Sequence, residues 1–174
     1  MTKEQRATFI RNFVFGVEDS LVSTVGLISG VAIAGASRGT IFLTGIVLIF
    51  VEAFSMGVGS YLSEQSSEDF IRQGAAETKP GMSVSSGLIM FVSYFISGFI
   101  PLIPYLLWSD SREAFAPSIG ASLVALFLLG VWGARLSKLP VLRGGLQMMI
   151  IGGIAIGLGV SVGAVLARFG VSVL

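Results

Sequence analysis

Five stretches of this chain are apolar over the length of a bilayer crossing, and that leaves little choice of fold. A backbone in hydrocarbon has no water to bond. Its N–H and C=O groups must therefore pair within a helix or around a closed barrel. A helical span needs about 20 apolar residues, whereas barrel strands show short alternating runs of about 10. The runs here are long and unbroken: residues 13–36, 40–63, 82–107, 117–134 and 146–171. Only 12% of the residues are charged, against about 25% in soluble domains. The expected fold is all-α, a single five-helix integral membrane domain with residues 64–81 as a short cytoplasmic connector.

Punctuation refines this reading. A turn at 35–39 joins the first two spans, and SEQSSEDFIRQ is able to continue the second helix until Pro80-Gly81 breaks it. Pro101 and Pro104 predict a kink or unwinding at the far end of the third span. Tyr105 and Trp108 are expected at the interface there, as Phe9, Phe13 and Phe15 are at the start of the first span. Pro117 suits the first turn of the fourth span. The charged N-terminus has no small-residue cleavage site after it, so no removable signal peptide is expected. No internal repeat stands out. With the N-terminus in the cytoplasm, Lys3, Arg6, Arg11, Arg72, Lys79, Arg135, Lys138 and Arg143 share one side, and Arg38, Arg112 and Arg168 the other. That bias predicts a cytoplasmic N-terminus and a C-terminus outside or in a lumen.

Composition also excludes. The chain has no Cys and no His, which removes disulfides and thiolate or imidazole metal sites. No basic patch suggests nucleic acid. No nucleophile–base pair or phosphate loop appears, so an enzyme is not expected, and no cofactor is implied.

The chemistry lies in the intramembrane acids. Glu52 stands in the middle of the second span, where a charge costs on the order of 2.5–3.5 kcal/mol on insertion scales. An acid kept at that depth reads as part of a path for ions or protons. Met56 follows one turn on, and Ser55, Gly59 and Ser63 continue the face. The first span holds Glu18 and Asp19, which point about 100° apart. Asp19's face runs on through Ser23, Gly26 and Gly30, the last two forming a close-packing pair. Glu18's face runs back through Phe15 to Arg11, with the carboxylate reaching water. Asp19 lies about 9 Å inside Phe13, and Met56 about 10 Å inside Ser63. The two can meet at one level, with Glu52 a turn deeper. Beyond the span, Glu64, Glu68 and Asp69 either gather cations at the mouth or form a solvated helix end.

Carboxylates and a thioether without His or Cys fit a divalent first-row cation, Fe2+ or Mn2+, carried as substrate. Acids that shed protons to bind metal link the two fluxes, which predicts metal–proton exchange. Two other readings stay open: a proton-coupled carrier or channel for a non-metal substrate, and a non-transporting assembly subunit that uses its glycines, Gly153–Gly157 and Gly159–Gly163, for packing.

Three segments, FIRNFVFGVEDSLVSTVGLISGVA, VEAFSMGVGSYLSEQSSEDF and SGFIPLIPYL, resemble the vacuolar iron transporter or CCC1-like family. The resemblance implies a five-helix homodimer that moves Fe2+, often Mn2+, out of the cytoplasm in exchange for protons, along a path at the dimer interface. It matches Asp19 to the family's first-helix acid, and Glu52 and Met56 to its Glu…Ser-Met-Gly motif. It implies residence in the inner membrane of a prokaryote or a vacuolar-type membrane of a eukaryote. The long cytoplasmic metal-binding insertion of such proteins is missing: only 64–81 lies between the second and third spans. Ser20 also replaces a common Gly.

Overall fold

The computed structural model describes residues 3–72 and 82–169. They form six helices: α1 (Lys3–Ile33), α2 (Arg38–Arg72), α3 (Met82–Ser97), α4 (Phe99–Leu107), α5 (Ser111–Leu136) and α6 (Val141–Arg168). The described residues include no strand. α3 and α4 lie end to end as one crossing, Ser83–Leu107, so five helical segments are long and apolar enough to span a membrane. The fold class is the expected one.

Several boundaries differ from the sequence reading. α1 starts at Lys3, ten residues before the expected span, because residues 3–12 contain neither Gly nor Pro to stop a helix. α2 continues through SEQSSEDF to Arg72; the break expected at Pro80-Gly81 falls outside the described residues. α5 starts at Ser111, so Pro117 lies inside the helix and not in its first turn. Asp110 overrides the proline signal: its carboxylate accepts from the Arg112 backbone N–H at 2.9 Å, and Glu113 adds a charge suited to a helix N-terminus. α6 starts at Val141, five residues ahead of the expected span.

The third crossing breaks at Gly98, three residues before Pro101. A proline cannot donate to the carbonyl four residues back and crowds it, and for Pro101 that carbonyl belongs to Ser97, where α3 ends. Tyr105 is fully buried, not interfacial, and its hydroxyl has no hydrogen-bond partner among the described residues. Its backbone serves instead: Arg38 Nε donates to the Tyr105 carbonyl at 2.6 Å and Arg38 Nη2 to that of Leu106 at 3.0 Å. A cation thus closes the carbonyl end of α4.

Glycines set the helix spacing. On α1, Gly30 faces Gly159 so closely that an added Cβ would stand 2.7 Å from the Gly159 carbonyl oxygen. On α6, a methyl at Gly159 or Gly163 would run into the backbone of Gly26 or Gly30. Gly57 of α2 meets Gly87 and Phe91 of α3, and Gly130 of α5 meets Gly144 of α6. The pair Gly153–Gly157 has open space beside it. Only one of the two fifth-span glycine pairs is therefore a packing device within the chain. Gly159→Val is expected to destabilise the protein by about 1–3 kcal/mol through overpacking. Gly153→Ala should stay within about 0.5 kcal/mol of the parent. Thermal unfolding in detergent would compare them, and equal midpoints would contradict the assigned interface.

Candidate functional site

The seam between α1 and α2 carries the acids. One ion pair crosses it: Arg11 Nη2 donates to Glu64 Oε2 at 2.9 Å. Neighbouring helices joined by a short turn run antiparallel, so equal steps up α1 and down α2 stay level. Gly98 of α3 stands against both Ser20 of α1 and Ile49 of α2, which puts Asp19 at about the height of Glu52 and leaves Met56 about one turn nearer Glu64. The sequence reading expected Asp19 level with Met56 and Glu52 one turn deeper; the packing of α3 against both helices sets a register one turn away from that.

All three are half-buried. They are neither sealed in the bundle nor fully turned to lipid. The carboxylates of Asp19 and Glu52 lie near enough for their charges to repel. Glu18 is half-buried beside Asp19 and feels its charge. Among the described residues, no three carboxylates converge closely enough to hold a metal ion by themselves. One chain thus offers a pair of acids, a thioether and nearby hydroxyls.

Other expectations divide. Asp19's face does not continue as one stripe. Ser23 turns toward α3, whereas Gly26 and Gly30 are buried toward α6. On α2, the half-buried residues after Glu52 include Met56, Ser60, Glu64 and Glu68, each one turn from the last. Ser55, Gly59 and Ser63 are exposed instead, because the buried side of α2, with Ile49, Ala53 and Gly57, turns them outward. Arg11 pairs with Glu64 and not with Glu18. Glu68 is half-buried and Asp69 exposed.

One residue escaped the sequence reading. Tyr94 of α3 is fully buried, and its phenol oxygen lies 2.7 Å from the hydroxyl of Ser23. Ser20 Oγ donates to the Tyr94 carbonyl at 2.7 Å, so α1 and α3 are joined twice at this level. The charges of both Asp19 and Glu52 act on the phenol. The signal was present: Tyr belongs at interfaces, and one in mid-span, flanked by Ser93 and Ser97, implies a polar partner inside the bundle.

Comparison with known proteins adds an independent finding. The model of the VIT family matches residues 10–82 and 74–164. The chain is similar to Vacuolar iron transporter 1 of Arabidopsis thaliana, 24% identical over 203 aligned residues, covering 84% of this chain and 81% of the relative. It is similar to Vacuolar iron transporter homolog 4 of the same plant, 26% identical over 159 residues, covering 87% and 80%. Vacuolar iron transporter cccA of Arthroderma benhamiae is 35% identical over 91 residues, 47% of this chain and 33% of the relative. The first alignment extends over 203 residues although this chain has 174. That relative therefore carries sequence with no counterpart here.

Ser23→Ala and Tyr94→Phe are each expected to cost about 0.5–1.5 kcal/mol of stability, the net worth of a hydrogen bond. Because they remove the same bond, the double variant should lose clearly less than the two single losses combined. Strict additivity in denaturant unfolding would show that the two hydroxyls do not act together.

Proposed function

The chain belongs to the VIT family, and from that premise we propose that it carries a divalent transition metal, Fe2+ and with it Mn2+, out of the cytoplasm in exchange for protons. It is a multi-pass membrane protein and not an enzyme. Relatives named as vacuolar iron transporters support iron as cargo. The observation that carries the site is the placement of Asp19 and Glu52 within each other's field on the α1–α2 seam, with Met56 one turn from Glu52 on α2.

The chemistry follows from the ligand types. Two carboxylates that repel gain from a divalent cation between them. The Met56 sulfur favours a softer first-row ion over Mg2+ or Ca2+. When no metal is present, protons relieve the same repulsion. Metal binding then releases them, and the two fluxes exchange. An acidic receiving compartment thus drives metal toward itself, because protons reload the acids from that side as the metal leaves.

A single seam supplies too few ligands for an octahedral ion. The half-exposure of its acids supports a homodimer in which the α1–α2 face of a second copy completes the coordination. The Lys and Arg bias supports a cytoplasmic N-terminus and a C-terminus outside or in a lumen. Residence would be the inner membrane of a prokaryote or a vacuolar-type membrane of a eukaryote.

Reconstituted in vesicles, the protein should move Fe2+ faster as the receiving side is acidified, and a protonophore should remove that gain. Asp19→Asn and Glu52→Gln should each stop the flux. Met56→Leu keeps the volume and loses the sulfur, so it should slow metal flux; a silent Met56→Leu would favour a non-metal substrate. Flux that survives both acid substitutions would reject the site.

A further inference from the structure

The Arg11–Glu64 pair is the feature that the transport chemistry leaves unused. It joins the two helices that carry the acids, about two turns from Asp19 along α1 and about two turns from Met56 along α2. The Glu64 side chain is only 13% exposed, whereas that of Arg11 is 67% exposed. The carboxylate is thus held in the seam, and the guanidinium covers it from the water side. Ser60, half-buried, lies between this pair and Met56 on α2.

We propose that Arg11 is a specificity-determining residue: its guanidinium occupies Glu64 at the mouth of the seam, and a cation must displace it to reach Asp19. The inference rests on the transport reading for its direction of travel. Its physics is competition for one carboxylate. Coulomb attraction to Glu64 scales with the charge of the competitor. A divalent ion thus gains twice what a monovalent ion gains at the same distance, against a guanidinium carrying a single charge and a fixed hydrogen bond. Monovalent ions are kept out, and divalent ions pass. Held between two helices, the guanidinium can swing outward on its flexible stem when the carboxylate is taken, without any movement of the helices.

A simple structural tie between α1 and α2 makes a different forecast. If the pair only fastens the helices, removing either partner has the same consequence. If Arg11 guards Glu64, the two removals act oppositely. Arg11→Gln leaves a free carboxylate that attracts any cation. Glu64→Gln leaves an unpaired positive charge that repels them all.

The test uses the full chain in vesicles, with K+ as the monovalent probe and Mn2+ as the divalent one. Arg11→Gln is expected to raise K+ leak about tenfold, the lower end of the range for electrostatic focusing, with Mn2+ flux kept or increased. Glu64→Gln is expected to lower Mn2+ flux by about the same factor. A second readout needs no transport. The chain has no cysteine, so Ser60→Cys provides a single thiol below the pair. Its labelling by a small cationic thiol reagent should quicken about tenfold when Arg11→Gln is added. Equal labelling rates, or Arg11→Gln and Glu64→Gln shifting Mn2+ flux the same way, would overturn the proposal. A parent protein that moves no Mn2+ would count against the transport reading instead, and the labelling ratio would still decide the role of Arg11.

Discussion

The bundle depends on how closely α1 can approach its neighbours. Inside a bilayer, helices gain nothing from hiding apolar surface from lipid, so association rests on van der Waals packing and hydrogen bonds between helices. The glycines of α1 and α6 let their backbones meet. On another side of α1, Gly16 packs against Met90 and Ser93, and Ser20 bonds the Tyr94 carbonyl. With those sides engaged by α6 and α3, and with Phe13 against Trp132 of α5, a remaining flank of α1 faces α2. Asp19 sits on that remainder. The placement of a costly carboxylate is thus a consequence of glycine packing on the opposite sides of the same helix.

The electrostatics of the seam then follow. Of its acids, Glu64 meets an arginine; Asp19 and Glu52 meet no basic side chain among the described residues. Two like charges near each other in a medium of low dielectric raise each other's energy. Among the described residues, no basic side chain pairs with either of them. A purely structural acid in a membrane helix ends in a pair or a hydrogen bond; these two end in each other's field. Under the proposed transport reading, what relieves them is something mobile and positive that enters the seam. That requirement separates a carrier from an anchor more sharply than hydropathy does.

Much of this was legible in the residues. Apolar runs of span length dictate helices, because no other open backbone survives in hydrocarbon. Counting residues inward from two ends brought Asp19 and the second-span residues to nearly one depth but was off by a turn: Glu52, not Met56, is at the height of Asp19. Side-chain direction was harder. The expected stripe of Ser55, Gly59 and Ser63 beside Glu52 was wrong because spacing alone does not say which flank α3 will cover. Asp19 and Gly26 looked like one face for the same reason, although two different helices claim them. Tyr105 reads as interfacial by type, but Arg38 draws its backbone into the core. Pro117 reads as a helix start, yet Asp110 captures the N-terminus six residues sooner. Most of these misses are tertiary contacts overriding a local preference; at Pro117 one local signal, the Asp110 cap, overrides another.

Topology and cargo place opposing demands on this chain. In the orientation proposed here, eight of the eleven Lys and Arg residues lie on the cytoplasmic side, which holds the protein the right way round. The same charges repel a divalent cation from the side it must leave. Relatives with additional sequence have room to build an acidic collecting surface apart from the membrane. This chain has to resolve the conflict within the ends of its own helices. The extension of α2 does so. It carries Glu64, Glu68 and Asp69 past the apolar run in unbroken helix, and α1 supplies Arg11, whose charge is tied to one of those acids. Under the proposed reading, positive charge is kept for orientation but neutralised where the path would open, at the Arg11–Glu64 pair. The helix that carries Glu52 thus also carries the acids at its cytoplasmic end in the proposed orientation.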